Sequence, residues 1–273
     1  MLGAWIESGI ELLSARVRRS ARGTEGGRSE LRYVFDEKLN ETPTAAFLAH
    51  LAEINRIVLS SETRLFGNIF YGGWAHPDLS PDQVATAKRP VAENKIIPPM
   101  REKRYNLALA VTGKSLLLEV GFNAGHSALL ALEANPRLAY IGIDIAFPKY
   151  TRPCAEYMKS VYGERFDLLY GSSLDLLPKF ADDPRAGHVD LVHIDGAHTE
   201  RIANADMQNT LALPAAPGLC RHMLADDTND PILRGLVISL INSRGVLGET
   251  YGGLWKGASN MCIRIITDKL EAA

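Results

Sequence analysis

The sequence is short of cysteine, of net charge and of long apolar runs, and each shortage removes a class of protein. Cys154, Cys220 and Cys262 are the only cysteines among 273 residues. They are odd in number, far apart and in no Cys-x-x-Cys pair, which argues against a disulfide framework and a Cys-ligated zinc. Formal net charge is −2, so no global basic field exists to hold nucleic acid. No apolar run approaches the roughly 20 residues of a membrane span. Internal repeats and low-complexity tracts are missing too. Apolar residues are plentiful, at 46%, and support a sizeable core: one large α/β domain with an appendage, or two small domains.

The first 23 residues, MLGAWIESGIELLSARVRRSARG, place apolar residues at helical spacing. Acids interrupt the apolar stretch and the basic cluster Arg16, Arg18, Arg19 and Arg22 follows it, so the segment does not read as a secretory signal. It is expected to dock on the domain or on another subunit, making a homo-oligomer reasonable. Weak peripheral membrane association through Trp5 and the arginines is the other reading. Residues 1–105 read as a helical N-terminal region, an oligomerisation element or substrate lid, with no confident strand. A helix is expected in TPTAAFLAHLAEINRIVLSS after a Thr cap, and another in PPMREKRYNLALAV. The segment between them, with Trp74, His76 and Lys95, is a candidate lid.

The rhythm changes in the remainder, 106–273. Strands are expected near 115–120, 139–143, 167–170, 189–194, 220–225, 246–251 and 260–267. Helices are expected near 126–134, 151–161, 174–181, 200–212 and 230–243. Alternation of this kind implies right-handed crossovers and a mainly parallel sheet with helices on both faces. No helix separates the last two strands, only a short glycine-rich link, so one of them should run antiparallel.

Ligands of such sheets bind beyond the carboxyl ends of the strands. The first strand ends in LLLEVGFNAGHS. Its glycines, Gly121 and Gly125, are four apart, so the G-x-G-x-x-G dinucleotide fingerprint is not met. Asn123 stands where the backbone calls for positive φ, which Asn tolerates. Glu119 would repel a pyrophosphate and suits a ligand with an ammonium group, which points to S-adenosylmethionine. Asp144 ends the second strand, placed to accept hydrogen bonds from two ribose hydroxyls. Ser172 and Ser173 follow the third; one is expected to cap the next helix and the other to meet the adenine edge.

Asp195 ends the fourth strand, and Asp226 and Asp227 end the fifth. Adjacent parallel strand tips should bring these carboxylates together, and clustered acids need a counter-charge. A hard divalent cation with oxygen ligands supplies it, and Mg²⁺ fits.

The motifs EVGFNAGHSA, YGSSLDLLP, HIDG and MLADD, in this order and spacing, resemble the class I S-adenosylmethionine-dependent methyltransferases. More narrowly they are similar to the metal-dependent O-methyltransferases, of catechol and macrocin (sugar) type. The likeness spans about 115–267 and implies a Rossmann-like sheet of seven strands. It implies that Glu119, Gly121 and Gly125 line the methionine end of the cofactor, with Ser127 near its carboxylate. It also implies Asp144 at the ribose, Ser173 at the adenine, and Asp195, Asp226 and Asp227 at the metal. Catechol-type members carry Asn where Asp227 stands, and a Lys base where His198 stands. His198, with a reference pKa of about 6.5, is the candidate base, set to take a proton from a metal-acidified hydroxyl.

The implied partner is a small-molecule hydroxyl acceptor, a sugar, polyketide or phenolic natural product, in the cytoplasm and in secondary metabolism. The rivals are a nicotinamide-dependent oxidoreductase, a non-catalytic nucleotide-binding protein on the same sheet, and a methyltransferase without metal. A nucleic-acid methyltransferase is disfavoured by the charge and by D-G-A-H in place of an N-P-P-Y-like motif.

Overall fold

The computed structural model describes residues 33–35, 39–61, 64–243 and 260–265. The terminal helix proposed for 1–23, the strand expected near 246–251 and most of the link that follows it lie outside these residues. Two short strands come first, β1 (Tyr33–Phe35) and β2 (Glu41–Pro43), paired antiparallel. The sequence carries no sign of them: strands of three residues are too brief to show a period of two, so the N-terminal region is not purely helical.

Three helices follow: α1 (Ala45–Ser60), α2 (Pro81–Ala92) and α3 (Arg101–Ala110). Their starts follow capping chemistry. The Thr44 side chain accepts from the Phe47 N–H to open α1, and Ser80 forms a reciprocal capping box with Gln83 to open α2.

The rest alternates as expected: β3 (Leu116–Val120), α4 (His126–Ala134), β4 (Ala139–Asp144), α5 (Thr151–Tyr162), β5 (Phe166–Tyr170), α6 (Ser173–Phe180), β6 (Leu191–Ile194), α7 (Glu200–Ala212), β7 (Arg221–Ala225), α8 (Pro231–Ser243) and β8 (Met261–Ile265). The sheet order is β5-β4-β3-β6-β7-β8. Every pairing is parallel except β7 with β8. Among the described residues the main sheet therefore has six strands.

Both faces of the sheet are covered, as a strand buried along its whole length such as LLLEV requires. On one face Leu117, Tyr140, Leu191 and Cys262 pack with residues of α1, α3, α4 and α5. On the other, Leu118, Ile141, Val192, Met223 and Ile263 pack with residues of α6, α7 and α8. The first core continues across residue 105, since Phe47, Leu51 and Ile54 share it with Leu129 and Leu130. Buried Arg221 ties the floor of the sheet together, donating to the carbonyls of Val189, Leu213, Ala186 and Pro214.

Buried His126, the first residue of α4, gives this fold a pH limit. Its ring lies edge-on to Phe70 and Tyr71, and burial pushes its pKa down to about 3. The unfolded chain then binds a proton below its reference value, about 6.5, that the folded chain refuses. Stability is full above that value and falls with acidification towards pH 3, at up to ~1.4 kcal/mol per pH unit. His126→Gln has no such titration. Urea unfolding at pH 7 and pH 5 is expected to show a larger loss for wild type than for this variant, by up to ~2 kcal/mol.

Candidate active site

The chain runs outward from β3 through β4 to β5, then returns to the other side of β3 with β6 and β7. The strand order reverses there, between β3 and β6, the place where such sheets bind their ligands. A cavity of about 600 Å³ opens at this point. Its polar groups follow the strand order: Ser172 and Ser173 after β5, Asp144 on β4, Gly121 and Asn123 after β3, Asp195 after β6, and Asp226 and Asp227 after β7.

The turn after β3 is built around a close approach. Gly121 has φ +97°, and a Cβ there would lie 2.1 Å from the Asp195 carbonyl oxygen. Only glycine lets the two strand tips pass. Asn123 holds φ 55°, the positive value expected of it. Its N–H donates to Asp144 Oδ2 at 2.8 Å, and its Oδ1 accepts from the Tyr150 hydroxyl at 2.5 Å. Gly125 is left-handed and opens α4.

Asp144 Oδ1 accepts from the Ala146 N–H at 2.6 Å. Burial raises the Asp144 pKa, and these backbone donors oppose the rise. Each carboxylate oxygen keeps lone-pair capacity for a further donor. Ser172 takes the capping role, accepting from the Leu174 N–H, while Ser173 lines the cavity. Ser127 lines a small adjoining pocket with Asn68 and Asp195.

Glu119 is placed differently from its neighbours. It is fully buried and is not among the residues that line the cavity. Its carboxylate accepts from the Tyr140 hydroxyl and faces His193 Nδ1 at 2.6 Å. Register explains the pairing: Glu119 lies beside His193 on β6 and Gly142 on β4, and Tyr140 is two residues before Gly142. Burial alone would push the His193 imidazole down, but the Glu119 hydrogen bond and charge outweigh it and raise the pKa to about 9. His193 thus stands paired with Glu119 behind the cavity wall.

The acids beyond β6 and β7 fall into two overlapping groups that share Asp195, and Asp226 and Asp227 stand in different ones. Ligand atoms of Asp195, His198 and Asp227 lie within 4.8 Å of one another, as do those of His193, Asp195 and Asp226. Burial first, and then the charge of Asp226, raise the Asp195 pKa well above the usual carboxylate range, against the pull of His193 and Lys103. Exposed His198 sits at the rim, with Nε2 3.2 Å from Asp227 Oδ2. Asp227 itself has φ 50°, and its N–H donates to Asp226 Oδ1 at 2.9 Å.

One functional-site residue escapes a reading of the sequence. Lys103 of α3 places its ammonium 3.0 Å from Asp226 Oδ1 and 2.5 Å from Asp227 Oδ1. Burial would lower its pKa, but the charges of Asp226 and Asp227 outweigh that and raise it. No local pattern in PPMREKRY marks this lysine, because its partner lies 124 residues away. The 66–68 loop escapes notice similarly: Phe66, Gly67 and Asn68 line the cavity with Met100, whereas Trp74, His76 and Lys95 do not. Trp74 is instead a core residue with Lys88 over its ring. Ile145, Phe147 and Pro148 supply apolar wall after β4.

No helix among the described residues is long and apolar enough to cross a membrane. Residues 118–220 match the family profile described as "Methyltransferase domain". Among solved structures, the chain is similar to cofactor-bound Rv0187 from MTB, at 16% identity over 81% of this chain and 90% of that one, with a TM-score of 0.50. It is also similar to an O-methyltransferase from Bacillus cereus in complex with SAH, at 15% identity over 94% and 99%, with a TM-score of 0.49. A TDP-rhamnose 3'-O-methyltransferase of calicheamicin biosynthesis follows at 12% identity over 84% and 98%, with a TM-score of 0.44. No curated protein matches the chain. Residues 118–220 thus resemble a methyltransferase domain, and the chain shares the Rossmann-like fold of these solved structures.

Proposed function

We propose that the protein methylates a hydroxyl group of a small molecule, using S-adenosylmethionine and a divalent cation, Mg²⁺. The observation that carries this reading is one cavity that joins the glycine turn and Asp144 to a cluster of three carboxylates and His198. S-Adenosylmethionine, when bound, supplies an electrophilic methyl carbon. Mg²⁺, when bound, makes a hydroxyl more acidic and stabilises its oxygen charge.

The residues present suit both groups. The apolar stretch Ile145, Phe147 and Pro148 beside Asp144 and Ser173 offers a flat wall for a base and acceptors for a ribose diol. Asp144 holds the ribose through the lone pairs its backbone donors leave free. Ser127, beside the turn, is near the amino-acid end. Glu119 acts there from behind the wall, as the counter-ion that fixes His193. Asp195, with Asp226 on one side and Asp227 on the other, offers the carboxylate oxygens that would hold a hard cation, and the Lys103 ammonium already stands in for positive charge between Asp226 and Asp227.

His198 is the proton acceptor. With Nε2–H directed at Asp227, Nδ1 carries the free lone pair and takes the acceptor's hydroxyl proton, while Asp227 steadies the resulting imidazolium. The acceptor is a small hydroxylated molecule of the natural-product kind, a sugar, polyketide or phenol. The protein works in the cytoplasm, as a homo-oligomer, with 106–273 as its catalytic unit and 1–105 as oligomerisation element or lid.

The test is an acceptor screen with S-adenosylmethionine, Mg²⁺ and hydroxylated acceptors, run with and without EDTA. On the best acceptor, His198→Gln is expected to lower kcat by about 10²–10⁴-fold while binding S-adenosylhomocysteine as wild type does. Equal kcat in this variant would remove His198 from the reaction. Undiminished turnover in EDTA would remove the metal.

A further inference from the structure

Helix α3 carries two consecutive cations with different attachments. Arg104 is fully buried; its guanidinium is held by the Glu41 carboxylate and by the carbonyls of Ile69 and Ile97. It pins α3 to β2 and to the loop that borders the cavity. Lys103, one residue earlier, reaches into the acid cluster instead, with its side chain 11% exposed. Its ammonium takes Asp226 Oδ1 and Asp227 Oδ1, at 3.0 and 2.5 Å.

Asp226 and Asp227 are also two of the three carboxylates assigned above to a divalent cation. Mg²⁺ holds its oxygens at about 2.0–2.1 Å and demands near-octahedral geometry. An ammonium donating to the same oxygens blocks those directions, and its charge opposes the ion at close range. We propose that Lys103 is the resident counter-cation of the acid cluster and competes with the divalent ion for Asp226 and Asp227, so that metal binding releases Lys103 from the cluster. This inference rests on the metal reading of the site. It makes Lys103 a positioning residue that sets cation affinity and links the cluster to α3, the last element before the methyltransferase sheet.

The test is calorimetric titration of Mg²⁺ into the full chain and into Lys103→Met, both stripped with EDTA and dialysed. Lys103→Met is expected to bind Mg²⁺ about tenfold more tightly or better, as removal of one opposing charge implies. Equal or weaker binding by the variant overturns the competition and leaves the metal reading standing. Binding by neither protein overturns both, and S-adenosylhomocysteine titrated into the same samples reports the cofactor reading separately. A wild-type measurement guards against a variant that fails to fold. Reductive methylation with formaldehyde and borane-dimethylamine, read by mass spectrometry, is expected to label Lys103 faster when Mg²⁺ is present. Lys114, bonded to the Cys220 carbonyl beside the start of β7, is the internal reference. A Lys103 rate unchanged relative to Lys114 overturns the proposal.

Discussion

Asp226→Asn is expected to cut kcat/KM for methyl transfer about a thousandfold, which corresponds to ~4 kcal/mol of lost transition-state stabilisation. The reason is local. Asp226 lies at the tip of β7, is 5% exposed, and shares the acid cluster with Asp195, whose pKa its charge raises. The amide loses a negative charge that the proposed cation would need, yet keeps the shape of the side chain. Folding should suffer little: the variant weakens the contact to Lys103, but the ammonium keeps Asp227 Oδ1 at 2.5 Å and a repulsion between neighbouring carboxylates is removed. The expected signature is therefore a thousandfold kinetic loss with a melting temperature close to that of wild type and unaltered S-adenosylhomocysteine affinity. Steady-state kinetics beside a thermal melt check it. A large fall in melting temperature would instead make Asp226 the structural anchor of Lys103.

Gly121→Ala is expected to act through the backbone, with the opposite signature. The positive φ alone costs about 1–2 kcal/mol for a residue with a Cβ. The larger effect is collision: the new methyl would stand 2.1 Å from the Asp195 carbonyl oxygen and 2.9 Å from the Gly196 Cα. Neither neighbour is a flexible side-chain end, so the strand tips of β3 and β6 must move apart. Together these effects place the variant in the range of ~4–5 kcal/mol of destabilisation. For a chain of this size that is a fall in melting temperature of about 10 °C or more. The shift also displaces Asn123 from Asp144, so S-adenosylhomocysteine binding should be lost even below the melting transition. Differential scanning calorimetry with and without S-adenosylhomocysteine measures both. A melt within a few degrees of wild type would contradict the close approach.

These two sites differ in how far the sequence announces them. Gly121 and the positive φ at Asn123 are legible because a strand, a glycine turn and a helix are contiguous. The helices 126–134 and 200–212 are legible to the residue for a similar reason: a glycine turn and a Thr-Glu start mark one end, and periodicity carries the rest. The convergence of Asp195 with Asp226 follows from topology, since parallel adjacent strands put their last residues side by side. What the sequence hides is pairing across long separations. Nothing local shows that Lys103 would meet Asp227, that Glu119 would turn to His193 and Tyr140, or that the 66–68 loop rather than Trp74 would border the cavity. The β1–β2 pair is hidden for another reason, being too short to carry a pattern.

The first experiment is calorimetric titration of S-adenosylhomocysteine into the full chain, with NAD titrated separately and Asp144→Ala as the binding control. Micromolar binding of S-adenosylhomocysteine, weakened at least about tenfold in Asp144→Ala, a loss of ~1.4 kcal/mol, with no heat from NAD, is the expected result. Absence of S-adenosylhomocysteine binding, or saturable binding of NAD in its place, would contradict the assignment of the cavity and with it the methyl-transfer reading of the site.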